Sequence, residues 1–222
     1  FLKKPKHIKY EIAYTNINEF NFLVSDKIKP LDWQQFYFKL QILHNLYLQK
    51  KTDSELIEYA KKENIFKALI VVDEIHNIFN KKDDEVIIFW LTYHRHFSQD
   101  IILITQDLSL VNKEYKSSAE FFYRAIPSRF RLSKNTFKYR QYSSYSLYAK
   151  DIVPGGDVKV KANPKIFSLY HSGAKAQQKS IFHKYFLLLL LIVAYFIYSL
   201  LNFFSVYSKD EAIPTKPNET MI

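Results

Sequence analysis

Over the first 127 residues, apolar positions alternate between two spacings. Ile8–Thr15 (IKYEIAYT) partly follows a period of two and predicts a strand. Leu31–Gln49 has helical spacing, with Leu31, Phe36, Phe38, Leu40, Ile42, Leu43, Leu46 and Tyr47 on a broad apolar face. Thr52-Asp53-Ser54-Glu55 has the side chains of a capping box and predicts a second helix to about Lys62. Ala68-Leu69-Ile70-Val71-Val72 is a continuous apolar run, the pattern of a strand buried on both faces. Asp83 and Asp84 predict the cap of a helix ending near His94. Ile101–Thr105 (IILIT) predicts a second buried strand, and a helix around Leu108–Tyr123 comes next. Strands alternating with helices predict an α/β fold with a parallel sheet.

After Pro127 the pattern changes. Ser128–Tyr142 contains alternating stretches (FRL, FKYRQY) and predicts a β-hairpin. Val153–Asp157 predicts a turn and Val158–Val160 a short strand. Leu169–Lys184 is a polar linker. It leads into Tyr185–Tyr207, which carries no charge and as a helix spans roughly 34 Å, against roughly 30 Å of bilayer hydrocarbon. A buried core helix is the other reading. A run apolar on every side near the end of a chain favours a transmembrane helix. Lys175, Lys179, His183 and Lys184 precede it without an acid, whereas Lys209, Asp210 and Glu211 come after it. This charge difference puts the large N-terminal part in the cytoplasm. The tail Ser208–Ile222, with Pro214 and Pro217, reads as disordered.

The chain has 222 residues, enough for one ordinary domain and a tail, and 48% are apolar, enough for a core. It has no cysteine, which excludes disulfides, zinc-thiolate sites and thiol nucleophiles. Its three glycines stand at 155, 156 and 173. The first residue is Phe1 and no signal-peptide pattern comes after it, so the sequence reads as starting inside a longer product. The net charge of +10 lies almost wholly before the apolar run. Anionic lipid is the nearest acidic partner. Nucleic acid is a second candidate, but the charges are dispersed and no recognition motif appears.

Candidate chemistry starts at Leu69–Glu74 (LIVVDE), a Walker B pattern. A buried parallel strand ends where ligands bind in open α/β sheets. Asp73 there could hold the water shell of Mg²⁺, and Glu74 could polarise an attacking water. Equally, the strand could simply end in polar residues, with Asp73 capping the next helix. Asp100–Gln106 (DIILITQ) ends a neighbouring strand in an amide, where many P-loop ATPases sense a γ-phosphate. Gln106 could instead satisfy backbone. Arg95, within Tyr93-His94-Arg95-His96, could reach a phosphate of its own or a neighbouring subunit. His94 and His96 are two apart and face different sides of a helix, with no third ligand in the spacing, so a metal site is disfavoured. A GxxxxGK[ST] phosphate loop is absent from the 222 residues.

Asp73-Glu74-Ile75-His76, followed by His94–Gln106 (HRHFSQDIILITQ), resembles the zonula occludens toxin family, which includes the inner-membrane assembly ATPases of filamentous phages. Thr15-Asn16-Ile17 resembles the end of that family's second strand. The resemblance spans roughly Tyr14 to Tyr207. It implies a P-loop NTPase-like parallel sheet whose first strand and Walker A loop lie upstream of this chain. It also implies a division into 1–127 (partial NTPase-like domain), 128–168 (β-rich extension), 169–184 (basic linker), 185–207 (transmembrane helix) and 208–222 (short periplasmic tail). For the site it implies ATP and Mg²⁺ as cofactors, with Asp73 on Mg²⁺ through water, Glu74 activating water, Gln106 sensing phosphate and Arg95 as a finger. For function it implies phage assembly and extrusion at the bacterial inner membrane. The partners would be further copies in a ring, coat proteins, an outer-membrane secretin, membrane lipid and, indirectly, single-stranded phage DNA. In the toxin member, epithelial activity is attributed to the region beyond the membrane, of which Ser208–Ile222 is a remnant. The alternative is a non-catalytic membrane-anchored subunit or toxin relative.

Overall fold

The computed structural model describes residues 9–80, 83–127, 135–170 and 182–210. Two short strands open it, β1 (Ile12–Thr15) and β2 (Ile28–Pro30), followed by α1 (Trp33–Leu48) and α2 (Asp53–Lys62). Next come β3 (Ala68–Val72), α3 (Glu85–Tyr93) and β4 (Asp100–Leu103). These four strands form one parallel sheet in the order β2-β1-β3-β4. The α/β class with a parallel sheet is thus what the chain adopts.

The helix starts are set by local side chains. Asp32 accepts from the amides of Gln34 and Gln35 at the start of α1. Thr52 and Glu55 close the expected capping box of α2. Asp84 accepts from Val86 and Ile87 at the start of α3. The ends are less usual. The turn residues after α1 and α2, where glycine commonly sits, are Lys50 and Asn64, both at positive φ.

One face of the sheet carries the core. Ala68, Ile70 and Val72 are fully buried beneath Phe36, Leu40 and Leu43 of α1, Leu56 and Ala60 of α2, and Trp90 of α3. Gln99, 2% exposed, ties this core to the amino edge of the sheet. Its Oε1 accepts from Trp90 Nε1 (2.8 Å) and its Nε2 donates to the Ile65 carbonyl (2.6 Å). The other face differs from the sequence expectation. Leu69 and Val71 are only half-buried, and Ile102 of β4 is about half exposed. β4 is an edge strand: β3 is its one partner among the described residues. An unbroken apolar run reads alike for a central strand and for an edge strand whose cover is supplied by another segment.

Three further differences concern local structure. The expected helix around Leu108–Tyr123 is broken into a 3₁₀ turn (Leu108–Leu110), α4 (Lys113–Ser117) and β5 (Phe122–Ala125). Asp107 and Asn112 each cap a separate short turn, and the ladder to the next strand recruits the end of the segment. β2 escaped the sequence reading because Lys29 and Pro30 break its apolar pattern. An edge position tolerates the proline. The expected hairpin is a three-stranded antiparallel sheet, β5-β6-β7, with β6 at Thr136–Tyr142 and β7 at Val158–Lys161. Of the expected hairpin, residues 128–134 lie outside the described residues.

A short α5 (Pro164–Phe167) comes next, and then α6 (Phe182–Asp210). Residues 184–203 of α6 are long and apolar enough to cross a membrane, and none is buried against the rest of the chain. Most of the linker and of the polar tail lies outside the described residues.

Candidate site at the carboxyl edge of the sheet

Parallel strands in register deliver their following residues to one edge. Thr15 pairs with Val71, and Val72 with Leu103. The residues after β1, β3 and β4 therefore meet: Asn16, then Asp73 and Glu74, then Thr105 and Gln106. The Asn16 amide clasps the main chain of Asp73. Its Oδ1 accepts the Asp73 N–H (2.6 Å) and its Nδ2 donates to the Asp73 carbonyl (3.0 Å). On the other side, Ile104 N–H donates to the Val72 carbonyl (2.8 Å), and Ile75 N–H to the Ile104 carbonyl (3.1 Å). The Asp73–Glu74 segment is held from both sides.

Glu74 adopts a left-handed backbone (φ 50°, ψ 46°). Its N–H donates to Asp73 Oδ1 at 2.9 Å. Among the described residues six other non-glycine positions have positive φ, so the strain alone does not single out the site. The side-chain partners do. Gln106 Nε2 donates to Glu74 Oε1 at 2.6 Å. Glu74 Oε2 is buried without a hydrogen bond among the described residues, although His76 Nδ1 stands 3.3 Å away. That ring nitrogen also lies 3.3 Å from Thr105 Oγ1, which donates to the Asp107 carbonyl. The bonds from Ser109 hold the Asp107 carboxyl below its ordinary range. The carboxylate of Glu74 is thus gripped through one oxygen and faces an imidazole with the other.

Arg95 does not join this group. It lies just past α3 at the opposite, amino edge, where Lys67 N–H meets the Phe97 carbonyl just before β3. Strands of this length separate the two edges by roughly 15 Å. Its guanidinium donates to Glu120 (2.5 Å), and both side chains are largely exposed. The two neighbouring histidines diverge. His94 Nδ1 lies 2.8 Å from the Leu91 carbonyl, whereas His96 stacks on Tyr93 at 4.0 Å and faces Asp53. Tyr93 also hydrogen-bonds to Asp53, which pushes its hydroxyl up to about 12.

Residues 9–177 match the family model described as Zonular occludens toxin (Zot). The chain belongs to the Zot family. No curated protein sequence matches it. Among solved structures, it is similar to the N-terminal domain of zonular occludens toxin from Neisseria meningitidis. The identity is 16%, the coverage 72% of this chain and 80% of that one, and the TM-score 0.44. It is also similar to the genome packaging NTPase B204 from Sulfolobus turreted icosahedral virus 2 in complex with ATP-gammaS. There the identity is 16%, the coverage 69% and 84%, and the TM-score 0.36. Likenesses this distant say nothing about a ligand or an activity.

The donor set of this Zot-family edge fits one of the two expected cofactors. Asp73 Oδ2 has no hydrogen-bond partner among the described residues, and a hard carboxylate oxygen suits the water shell of Mg²⁺. For phosphate the chain offers no glycine-rich cradle at this edge, because its glycines all lie beyond residue 154. Three contributors were not among the sequence candidates for chemistry: Asn16, His76 and Thr105. Asn16, His76 and Thr105 all fell within the stretches that resemble the Zot family, which was the available signal. Thr105 stands next to Gln106, and its tie to His76 depends on the β3–β4 register.

Proposed function

We propose that this chain is the membrane-anchored portion of a Zot-type nucleotide-driven machine that assembles and extrudes filamentous phage. In this reading α6 crosses the bacterial inner membrane and the sheets lie in the cytoplasm. The observation that carries the reading is the grip of Gln106 on Glu74, beside Asp73, at the carboxyl edge. When bound, Mg²⁺ and ATP supply the reactive phosphate and the neutralisation of its charge. Asp73 holds the metal's water shell, and Asn16 fixes the Asp73 main chain. Glu74 would accept the proton of an attacking water. Gln106 aims the Glu74 carboxylate and, from the neighbouring strand, would sense the phosphate. Arg95, at the far edge, is suited to acting on a neighbouring copy in a ring rather than on its own site.

The outer edge of β4 and the half-exposed Ile102 suit the addition of one more parallel strand. A phosphate loop following that strand would emerge beside Gln106. Coat proteins, a secretin and, indirectly, single-stranded DNA complete the proposed set of partners.

The test begins with the coding sequence upstream of Phe1. An in-frame GxxxxGK[ST] within roughly 30 codons is expected, and the longer chain should hydrolyse ATP. A start codon without that loop, together with no turnover, would favour the non-catalytic membrane subunit.

A further inference from the structure

The β5-β6-β7 sheet has two unlike faces. Side chains directly opposite one another in an antiparallel pair share a face. Arg124 lies opposite Arg140, Lys138 opposite Lys159, and Thr136 opposite Lys161. Five cations therefore occupy one face of a three-stranded sheet. Among the described residues the one carboxylate paired with them is Asp157, 3.0 Å from Lys138 and 3.8 Å from Arg140. Arg124, Lys159 and Lys161 are exposed and have no ion pair among the described residues. Like charges set directly opposite each other destabilise a sheet. Such an arrangement calls for an anionic surface that offsets the repulsion.

Two anionic partners fit a flat cationic face. A single-stranded nucleic acid gains much of its binding from bases stacked on exposed rings between the cations. Here the exposed ring of Tyr123 is on the opposite face, with Phe137 and Tyr139. The rings on the cationic side, Phe122 and Tyr142, are half-buried and buried. A lipid surface needs only charge. Lys161 precedes Lys184, where the apolar stretch of α6 begins, by 23 residues, a tether of at most about 80 Å. The tether keeps the face at high local concentration beside a bilayer.

We propose that the face bearing Arg124, Lys138, Arg140, Lys159 and Lys161 docks on anionic phospholipid headgroups of the membrane that α6 enters. The proposal rests on the membrane reading of α6. Near an anionic surface each such cation strengthens attachment about fivefold, and the effect fades as salt rises.

The experiment uses the full chain in nanodiscs of phosphatidylcholine, alone or with about one-third phosphatidylglycerol. The chain has no cysteine, so Thr136→Cys gives a single dye position on the cationic face. A headgroup-attached quencher should darken the dye in anionic discs and not in neutral ones. Lys138→Gln/Lys159→Gln/Lys161→Gln should abolish the difference. Hydrogen exchange on the unlabelled chain gives an independent readout: β6 and β7 amides should exchange more slowly in anionic discs. Equal signals in both disc types overturn the proposal. So does a stronger response to a single-stranded oligonucleotide than to anionic lipid, which would assign the face to nucleic acid. Resistance to alkaline extraction reports on the span separately. An extractable chain that still responds to anionic vesicles would retain the face and remove the span.

Discussion

Asn16 holds the peptide of Asp73 by both its N–H and its carbonyl, as a neighbouring strand would. A side chain thereby extends the β1–β3 ladder one step past the end of β1. The pair is accessible to solvent, so water would replace part of the interaction lost on truncation. Asn16→Ala should cost about 1 kcal/mol. Denaturant unfolding measures it, and the Asp73 amide should lose exchange protection while amides within β3 keep theirs.

Glu74→Gln retains an oxygen for the Gln106 contact but removes the base. In the longer chain that carries a phosphate loop, turnover should fall roughly 100-fold or more while ATP binding persists. Asp73→Ala should weaken Mg²⁺-dependent binding as well. Steady-state hydrolysis alongside nucleotide titration separates the two. Wild-type turnover in the Glu74→Gln chain would reduce both residues to a strand end with a local cap.

Gln99 serves two buried partners at once. Gln99→Leu leaves the Trp90 indole N–H and the Ile65 carbonyl unsatisfied, at a cost of about 2–3 kcal/mol. The shift should appear as a lower urea midpoint monitored by tryptophan fluorescence.

Lys51, with donors from Thr52, holds the Glu55 carboxyl down to about 2. The folded value lies below the unfolded one. The contribution is therefore complete above the ordinary carboxylate range, roughly 4.3, and is lost as pH falls towards 2. Melting temperature measured across that window should decline less steeply in Glu55→Gln than in the parent.

Alkaline phosphatase fused after Ser208 should be active and a cytoplasmic reporter at the same place silent, because the basic flank precedes the apolar stretch of α6. The reverse pattern would invert the orientation.

The sequence made some parts of this fold readable because their causes are local. Thr52 with Glu55, Asp84, and the run Ala68–Val72 each state their structure within a few residues. Asp73, Glu74 and Gln106 were readable as candidates because each lies at the end of an apolar run. Their meeting depends on the β3–β4 register, which no local pattern encodes. Arg95 shows the same limit. Its neighbours in sequence suggest chemistry, yet strand direction carries it to the far edge. The helix expected over Leu108–Tyr123 failed for a related reason. Its spacing suits a helix, but β6 captures Phe122–Ala125 from a distance. Cysteine-free composition and the uncharged run in α6, by contrast, needed no three-dimensional information.

The outer side of β4 has one further consequence. Unpaired backbone along an edge strand is a template for any other extended chain, and the half-exposed Ile102 adds an apolar surface next to it. Pairing there, parallel or antiparallel, takes no account of which molecule supplies the strand. Until a proper neighbour occupies that edge, two copies of this chain can occupy it for each other. The order in which the sheet is completed and the copies are brought together in a membrane therefore decides whether contact between them is productive assembly or edge-to-edge aggregation.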